Sequence, residues 1–378
     1  MNVMKSAIAI TCITLALSAC GGGNSADPLD PLEQDVEREE FEENEEENEP
    51  TMQEITYPFH APLTGIGMEE SLEEVRPIMF MVENSPAARP QSGLHMADIV
   101  YEILAEGEIT RFVAVYQSEQ PEIIGPIRSI RSYFVELAYE MDTLVVHAGW
   151  SQSAMNMLVQ RNIQHFDQVY GDDKYYWRSE ERYAPHNLYS NIEKIMEGAE
   201  DKNYRTSWDD PLDISFTDYK EFLYTDENGT EIRSSIPLEE HIEETSNAVM
   251  NEVDTDNTEV EENKEDVGLT DTSTANKITI PYLLGYNVSY EYDAESKLYQ
   301  RFMNGEAHVD KESEQPLLTK NLIVVEAAHQ IVDDVGRRDV DVYGPGKGYI
   351  FQEGSEIPLY PGKTWIQFVP LETTLTFE

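Results

Sequence analysis

Apolar side chains arrive in bursts along this chain. A first burst spans residues 7–17, and about forty positions without apolar periodicity follow it; from Pro58 to about residue 210 the pattern switches on again. Residues 76–83 (RPIMFMVE) form a short unbroken apolar run, as a strand buried on both faces does. Met96, Ile99, Val100, Ile103 and Leu104 recur at helical spacing, and Gly107 stands where a helix would stop, so the spacing predicts a helix there. Residues 110–116 (TRFVAVY), β-branched and aromatic, predict a strand. Further on, 129–141 predicts an amphipathic helix, 143–147 a third buried strand, and 152–161 and 192–199 two more helices, with an aromatic, irregular stretch at 170–190. Strand and helix in alternation imply a mostly parallel sheet with covering helices, so an α/β N-terminal domain is expected over residues 57–210. After a polar connector at 211–276, short strand candidates appear at 278–281, 288–292, 298–303, 322–326, 340–342 and 364–369, with Asn304-Gly305 the clearest turn. They predict a smaller, mainly β C-terminal domain at 277–378.

Charge changes this picture in one respect. The 378 residues carry 74 Asp+Glu against 26 Lys+Arg, a net charge of −48, which makes nucleic acid a poor partner. About half of that charge sits in two runs. The first, within residues 20–56, holds about fourteen carboxylates and one arginine; it reads as a solvated tether whose roughly 33 residues reach at most about 110 Å. The second, from about 239 to 276, fills most of the connector.

The opening burst reads as an address. Lys5 precedes eleven apolar-leaning residues, too few for a bilayer span of about 20 but enough for a secretory signal. It ends in Leu17-Ser18-Ala19-Cys20, which resembles the bacterial lipobox. That resemblance implies a signal peptide at 1–19, Cys20 as the lipid-bearing first residue of the mature chain, and a bilayer as partner through acyl chains on the extracytoplasmic face of the cell membrane. Both cysteines fall in the first twenty residues, so no disulfide framework is expected.

Candidate chemistry gathers where parallel strands end, because ligands of open α/β sheets sit beyond those ends. The expected rim comprises Glu83-Asn84, Gln117-Ser118 and His147-Ala148-Gly149-Trp150. A carboxylate beside an indole face and amide donors suits a sugar, although Trp150 also suits a lid over the core and His147 a satisfied packing group. Arginine is scarce, yet Arg89, Arg111, Arg128 and Arg131 cluster; Arg128 and Arg131, three apart at a helix start, suit a carboxylate or phosphate clamp, or ordinary pairing with acidic neighbours. Asp98, Glu102 and Glu106, four apart on the expected helix, form a carboxylate stripe that is either a solvated face or a source of the acid for glycan cleavage. Glu83, Glu102 and Glu106 are all eligible for that acid. His186 and Asn187 lie in a polar loop suited to ligand binding or to loop anchoring. Nucleophile-elbow, Walker A, zincin and penicillin-binding motifs are absent from the sequence, and Asp333, Asp334, Asp339 and Asp341 lack EF-hand spacing; no cofactor and no metal site is expected.

Several long phrases carry a family resemblance. RPIMFMVENSPAARPQSGLHMADIVYEILAEGEITRFVAVY, GPIRSIRSYFVELAYEMDTLVVHAGWS and APHNLYS, followed by VSYEYDAESKLYQRFMNGEAHVD and PGKTWIQFVP, resemble the YerB-like bacterial lipoproteins, a family built around a domain of unknown function. The resemblance implies a cell-envelope lipoprotein of Gram-positive type associated with the cell wall, and it brings no established reaction. The reading is therefore a lipid-anchored protein that binds a cell-wall component or envelope protein without covalent chemistry. The alternatives are a peptidoglycan-cleaving glycosidase or lytic transglycosylase, and a scaffold that activates a cell-wall synthase or hydrolase.

Overall fold

The computed structural model of the chain describes residues 53–225, 231–237, 275–283, 285–294, 296–344, 347–351 and 359–378. Cys20, the signal peptide, most of the tether and nearly all of the second acidic run lie outside the described residues.

The apolar run at 76–83 becomes β1 (Ile78–Glu83), buried at every position. Alternate residues serve opposite layers, Phe80 and Val82 one core and Met79 and Met81 the other, and this two-sided burial leaves no polar position in the run before Glu83. The next segment departs from expectation: β2 (Ile99–Glu106) is a strand, entered through a short 3₁₀ turn at Leu94–Met96. Apolar residues at helical spacing are present because nearly every position of this strand is buried, so any period is matched by default. Ile99, Val100 and Ile103 favour the extended form. A two-residue turn containing Gly107 then returns the chain antiparallel as β3 (Ile109–Tyr116).

The helices α1 (Ser132–Glu140), α2 (Gln152–Gln160) and α3 (Ile192–Lys202) form close to their expected places. Between them β4 (Leu144–His147) and β5 (His165–Asp167) run parallel to β1 and to each other. In the C-terminal portion β6 (Lys277–Leu283), β7 (Tyr286–Asp293) and β8 (Leu298–Met303) make an antiparallel sheet with short strands at its margins. The chain then returns to the first sheet with β9 (Asn321–Ile331), β10 (Arg338–Asp341), β11 (Gly348–Phe351) and β12 (Thr364–Pro370).

Among the described residues the large sheet has nine strands in the order β10-β9-β12-β2-β3-β1-β4-β5, with β11 also on β9. It is mixed: β3 is antiparallel to both neighbours, whereas β9, β12 and β2 run parallel. Tyr133, Phe134 and Leu137 of α1 and Leu158 of α2 cover one face. Ile278, Ile280, Val288 and Tyr290 of the second sheet cover the other, together with Ile192 and Ile195 of α3. Three layers result, and strand outweighs helix by 41% to 16%. The expected α/β N-terminal domain, a mostly parallel sheet wrapped by helices, is thereby corrected. The segment read as its first helix is a strand, the strands run both ways, and a β-sheet occupies much of the face assigned to helices. The β character of the C-terminal portion holds.

Candidate functional site

Mixed strand direction divides the expected rim. Because β1 and β4 are parallel, Glu83 and His147 finish on the same side, but the antiparallel β3 carries Gln117 and Ser118 to the opposite edge. There their backbone N–H groups and the Ser118 hydroxyl donate to Asp98, a carboxylate that burial holds above its ordinary pKa.

The carboxylate stripe also dissolves. Four residues along a strand cover about 13 Å, against about 6 Å along a helix. Glu102 is sealed between the two sheets: its Oε2 accepts from Arg301 (2.8 Å), and its Oε1 from Tyr286 (2.6 Å), Thr110 (2.8 Å) and Asn84 (3.2 Å). The pair is 0% and 1% exposed. Arg301 also donates to His308 Nδ1, and His308 Nε2 donates to Gln91 Oε1 at 2.7 Å. Burial first, and then the adjacent Arg301 charge, hold His308 far below the usual histidine range, so the neutral ring accepts a hydrogen bond from the guanidinium. Asn84 and Arg89 belong to the same network, Arg89 donating to the Asn84 carbonyl at 2.7 Å and resting over the Tyr286 ring. These residues bolt one sheet to the other, and all but the half-buried Arg89 are sealed from solvent.

Glu106 faces the start of α1 after a register irregularity between Leu104 and Glu106. Arg111 (2.7 Å) and Arg131 both donate to it. Burial alone would raise its pKa, but the two guanidiniums hold it below the ordinary carboxylate value. A general acid needs the opposite shift. Arg131 is itself drawn down to about 10 by burial and by Arg111. The expected Arg128–Arg131 clamp does not form: Arg131, the residue before α1, turns to Glu106, and Arg128 turns to Glu83.

His147 is fully buried. Its Nδ1 donates to the Gly149 carbonyl (2.9 Å), and its Nε2 accepts from His165 Nδ1 (2.9 Å), the two rings stacking at 5.1 Å. Burial, then His165, push its pKa down to about 3, so it is a neutral packing group, not a base. Gly149 takes φ +77, a left-handed turn that brings Trp150 out of the strand's line, and Asp167 Oδ1 fixes the turn by accepting the Gly149 N–H at 2.8 Å.

Beyond that turn opens a cleft of about 360 Å³, lined among others by Arg128, Ser129, Trp150, Gln168, Tyr170 and Arg178. Such a volume suits one or two sugar rings or a short peptide. Trp150 and Tyr170 stack at 5.1 Å, and the indole N–H is buried without an acceptor. Asn187 acts through its neighbour: its Oδ1 accepts from Arg178 (2.9 Å) while its amide donates to Ser179 and Arg182 carbonyls, pinning the loop that presents Arg178.

Behind Arg128 lies a cluster of Glu83, Ser85 and His186. Glu83 Oε1 meets Ser85 Oγ (2.8 Å), His186 Nδ1 (2.9 Å) and Arg128 Nε (3.4 Å). Ser85 Oγ lies 3.2 Å from the same Nδ1. In a proton relay the hydroxyl and the carboxylate use opposite ring nitrogens; here both crowd one, so no Ser-His-Glu relay exists. The cluster braces Arg128 at the mouth of the cleft. The structure thus brings together Glu83, Arg128, Trp150, His186 and Asn187, and separates them from Asn84, Arg89, Glu102, Glu106, Arg111, Arg131 and His147. Nothing in the sequence singles out Tyr170 and Arg178 beyond the aromatic density of residues 170–190. Among the described residues no group of three His, Cys, Asp or Glu side chains is placed to hold a metal, and no helix is long and apolar enough to cross a membrane.

Residues 63–205 match the family described as "Protein of unknown function (DUF3048) N-terminal domain", and residues 278–359 match its C-terminal domain. The chain is 35% identical over 331 residues to "Putative lipoprotein YerB" of Bacillus subtilis (strain 168), covering 82% of this chain and 86% of that protein. It is also similar to the crystal structure of the YerB protein from Bacillus subtilis, with a TM-score of 0.61 at 30% identity over 84% of this chain and 99% of the other.

Proposed function

This chain belongs to the YerB-like (DUF3048) lipoprotein family, and from that premise we propose that it is a wall-facing envelope protein that binds a cell-wall glycan or its peptide, without covalent chemistry, in the cleft beside Trp150. The observation that carries the reading is the cleft itself, where a stacked aromatic pair, an unpartnered indole N–H and two guanidiniums converge. Ring stacking with a few directed hydrogen bonds is how flat, polar ligands such as sugars are held. The Leu17-Ser18-Ala19-Cys20 motif supports attachment through Cys20 and hence a target outside the membrane. Against cleavage stand the sealing of Glu102 by Arg301 and the double clasp on Glu106.

Sedimentation with purified sacculi tests the reading. The unaltered protein is expected to pellet with them, and Trp150→Ala is expected to lose most of that pelleting while keeping its fold. Equal pelleting of the two proteins overturns the assignment of the cleft.

A further inference from the structure

Acidic residues make up 74 of the 378 in this chain, about one in five, yet none of the twelve residues lining the Trp150 cleft is Asp or Glu. Two of the twelve are arginines, in a chain with only 26 Lys+Arg. The strongest hydrogen-bonding groups of the lining are donors. The Trp150 indole N–H is buried and has no acceptor. Arg128 pairs with Glu83 through Nε at 3.4 Å, and its side chain is 30% exposed at the mouth of the cleft. Arg178 spends one nitrogen on Asn187 at 2.9 Å and is otherwise exposed. Gln168 turns its amide nitrogen outward, donating to Asp173 outside the cleft at 2.6 Å.

Resting on the reading that this cleft binds a wall component, we propose that it selects a sugar ring carrying an oxyanion, with the ring against the Trp150–Tyr170 pair and the anion between Arg128 and Arg178. A neutral sugar offers hydroxyls that give as many hydrogen bonds as they take, and it would leave Arg128 with only its 3.4 Å contact to Glu83 and Arg178 with only the Asn187 amide oxygen. An oxyanion takes only, and a guanidinium fork is the donor that fits it best. The chain's overall negative charge does not oppose this at physiological ionic strength, where charges beyond about 8 Å are screened and the two arginines dominate the cleft. Glu83, held back by Ser85 and His186, fixes the direction in which Arg128 approaches without entering the cleft itself. A carboxylate on the sugar and a phosphate on the sugar satisfy the same groups.

The four tryptophans of the chain give four indole N–H signals in a ¹⁵N-labelled sample of the full chain, and Trp150→Phe identifies the one that reports on the cleft. Three probes at about 0.15 M salt separate the chemistries: N-acetylmuramic acid for a ring carboxylate, N-acetylglucosamine 6-phosphate for a ring phosphate, and N-acetylglucosamine for neither. A charged sugar is expected to move the Trp150 signal at a concentration at least about tenfold below that needed for the neutral one, the usual scale of a charge-assisted contact. Arg178→Gln, an exposed change whose other three indole signals should stay in place, is expected to abolish that preference. Tighter binding of the first sugar assigns carboxylate-bearing glycan as the source, and tighter binding of the second assigns a phosphate polymer; either supports the proposal. Equal affinity for all three, or a preference that survives Arg178→Gln, overturns charge selection while leaving the cleft as a wall-binding site. A Trp150 signal that no charged sugar moves also overturns it, and sacculus pelleting decides the wider reading independently.

Discussion

Glu102 and Arg301 are separated by 199 positions in sequence and by 2.8 Å in space, in a setting that excludes water from both. Removing one member of such a pair strands the other's charge, which costs about 3–5 kcal/mol, whereas replacing both with apolar groups of similar volume costs far less. Glu102→Leu and Arg301→Met are each expected to lower the urea unfolding free energy on that scale, and the double variant to lose less than either single one; strictly additive losses would refute the coupling. His147 yields a second expectation, with the sign set by its depressed pKa. Unfolded, the imidazole titrates near 6.5; folded, it stays neutral down to about 3. Between those values the unfolded chain binds a proton that the folded chain refuses, so the stability this group contributes is complete above pH 6.5 and drains away as the pH falls toward 3. His147→Gln, which can still donate to the Gly149 carbonyl, should flatten the decline of the urea midpoint across that window, and an unchanged slope would count against the assignment. The neutrality of His147 was legible as an alternative, because it ends a buried strand. The fate of Glu102 was not, since nothing local to it announces Arg301.

Among the elements, β1, β3, β4 and the three helices could be read from pattern alone, and β2 could not. Its burial on both faces erased the alternation that marks a half-exposed strand, and what remained was compatible with a helix. That one misreading moved Asp98, Glu102 and Glu106 onto a face they do not share and suggested a covering helix where β2 lies between β12 and β3. α3 shows packing overruling propensity in a different way. Gly198, in mid-helix, has room for hydrogen only, because an added Cβ would stand 2.4 Å from the buried Phe166 ring and 3.0 Å from Tyr175. Alanine gains about 1 kcal/mol of helix propensity over glycine. Overpacking a closed core costs about 1–3 kcal/mol. Gly198→Ala is therefore expected to lower the melting temperature despite the better helix former, and a raised value would show that the ring yields.

At the scale of the whole molecule, the large sheet is assembled from both halves of the chain. β12 lies between β2 and β9, and Trp365 on β12 packs edge-on against Phe112 of β3 with ring centres 5.6 Å apart. Residues 57–210 made alone would expose the β2 edge and leave Glu102 without Arg301. That fragment is expected to show no cooperative thermal transition by circular dichroism, and to acquire one on mixing with a 277–378 fragment; an independent transition in the first fragment would contradict this. Nothing in the hydrophobic pattern revealed the arrangement, because the two partner strands of β2 lie at very different distances along the sequence, β3 directly after it and β12 some 260 residues later.

The position of β12 also sets a timetable. Synthesis runs from the first residue at about 5–20 residues per second, and early segments ordinarily fold as they emerge. Here the strand that belongs in the interior of the sheet, Thr364–Pro370, follows every other described strand of that sheet in sequence. Until it arrives, the growing polypeptide holds an open slot beside β2 and cannot lock. The sheet would thereby stay open while its other eight described strands are made, and would close only when β12 slots in between β2 and β9.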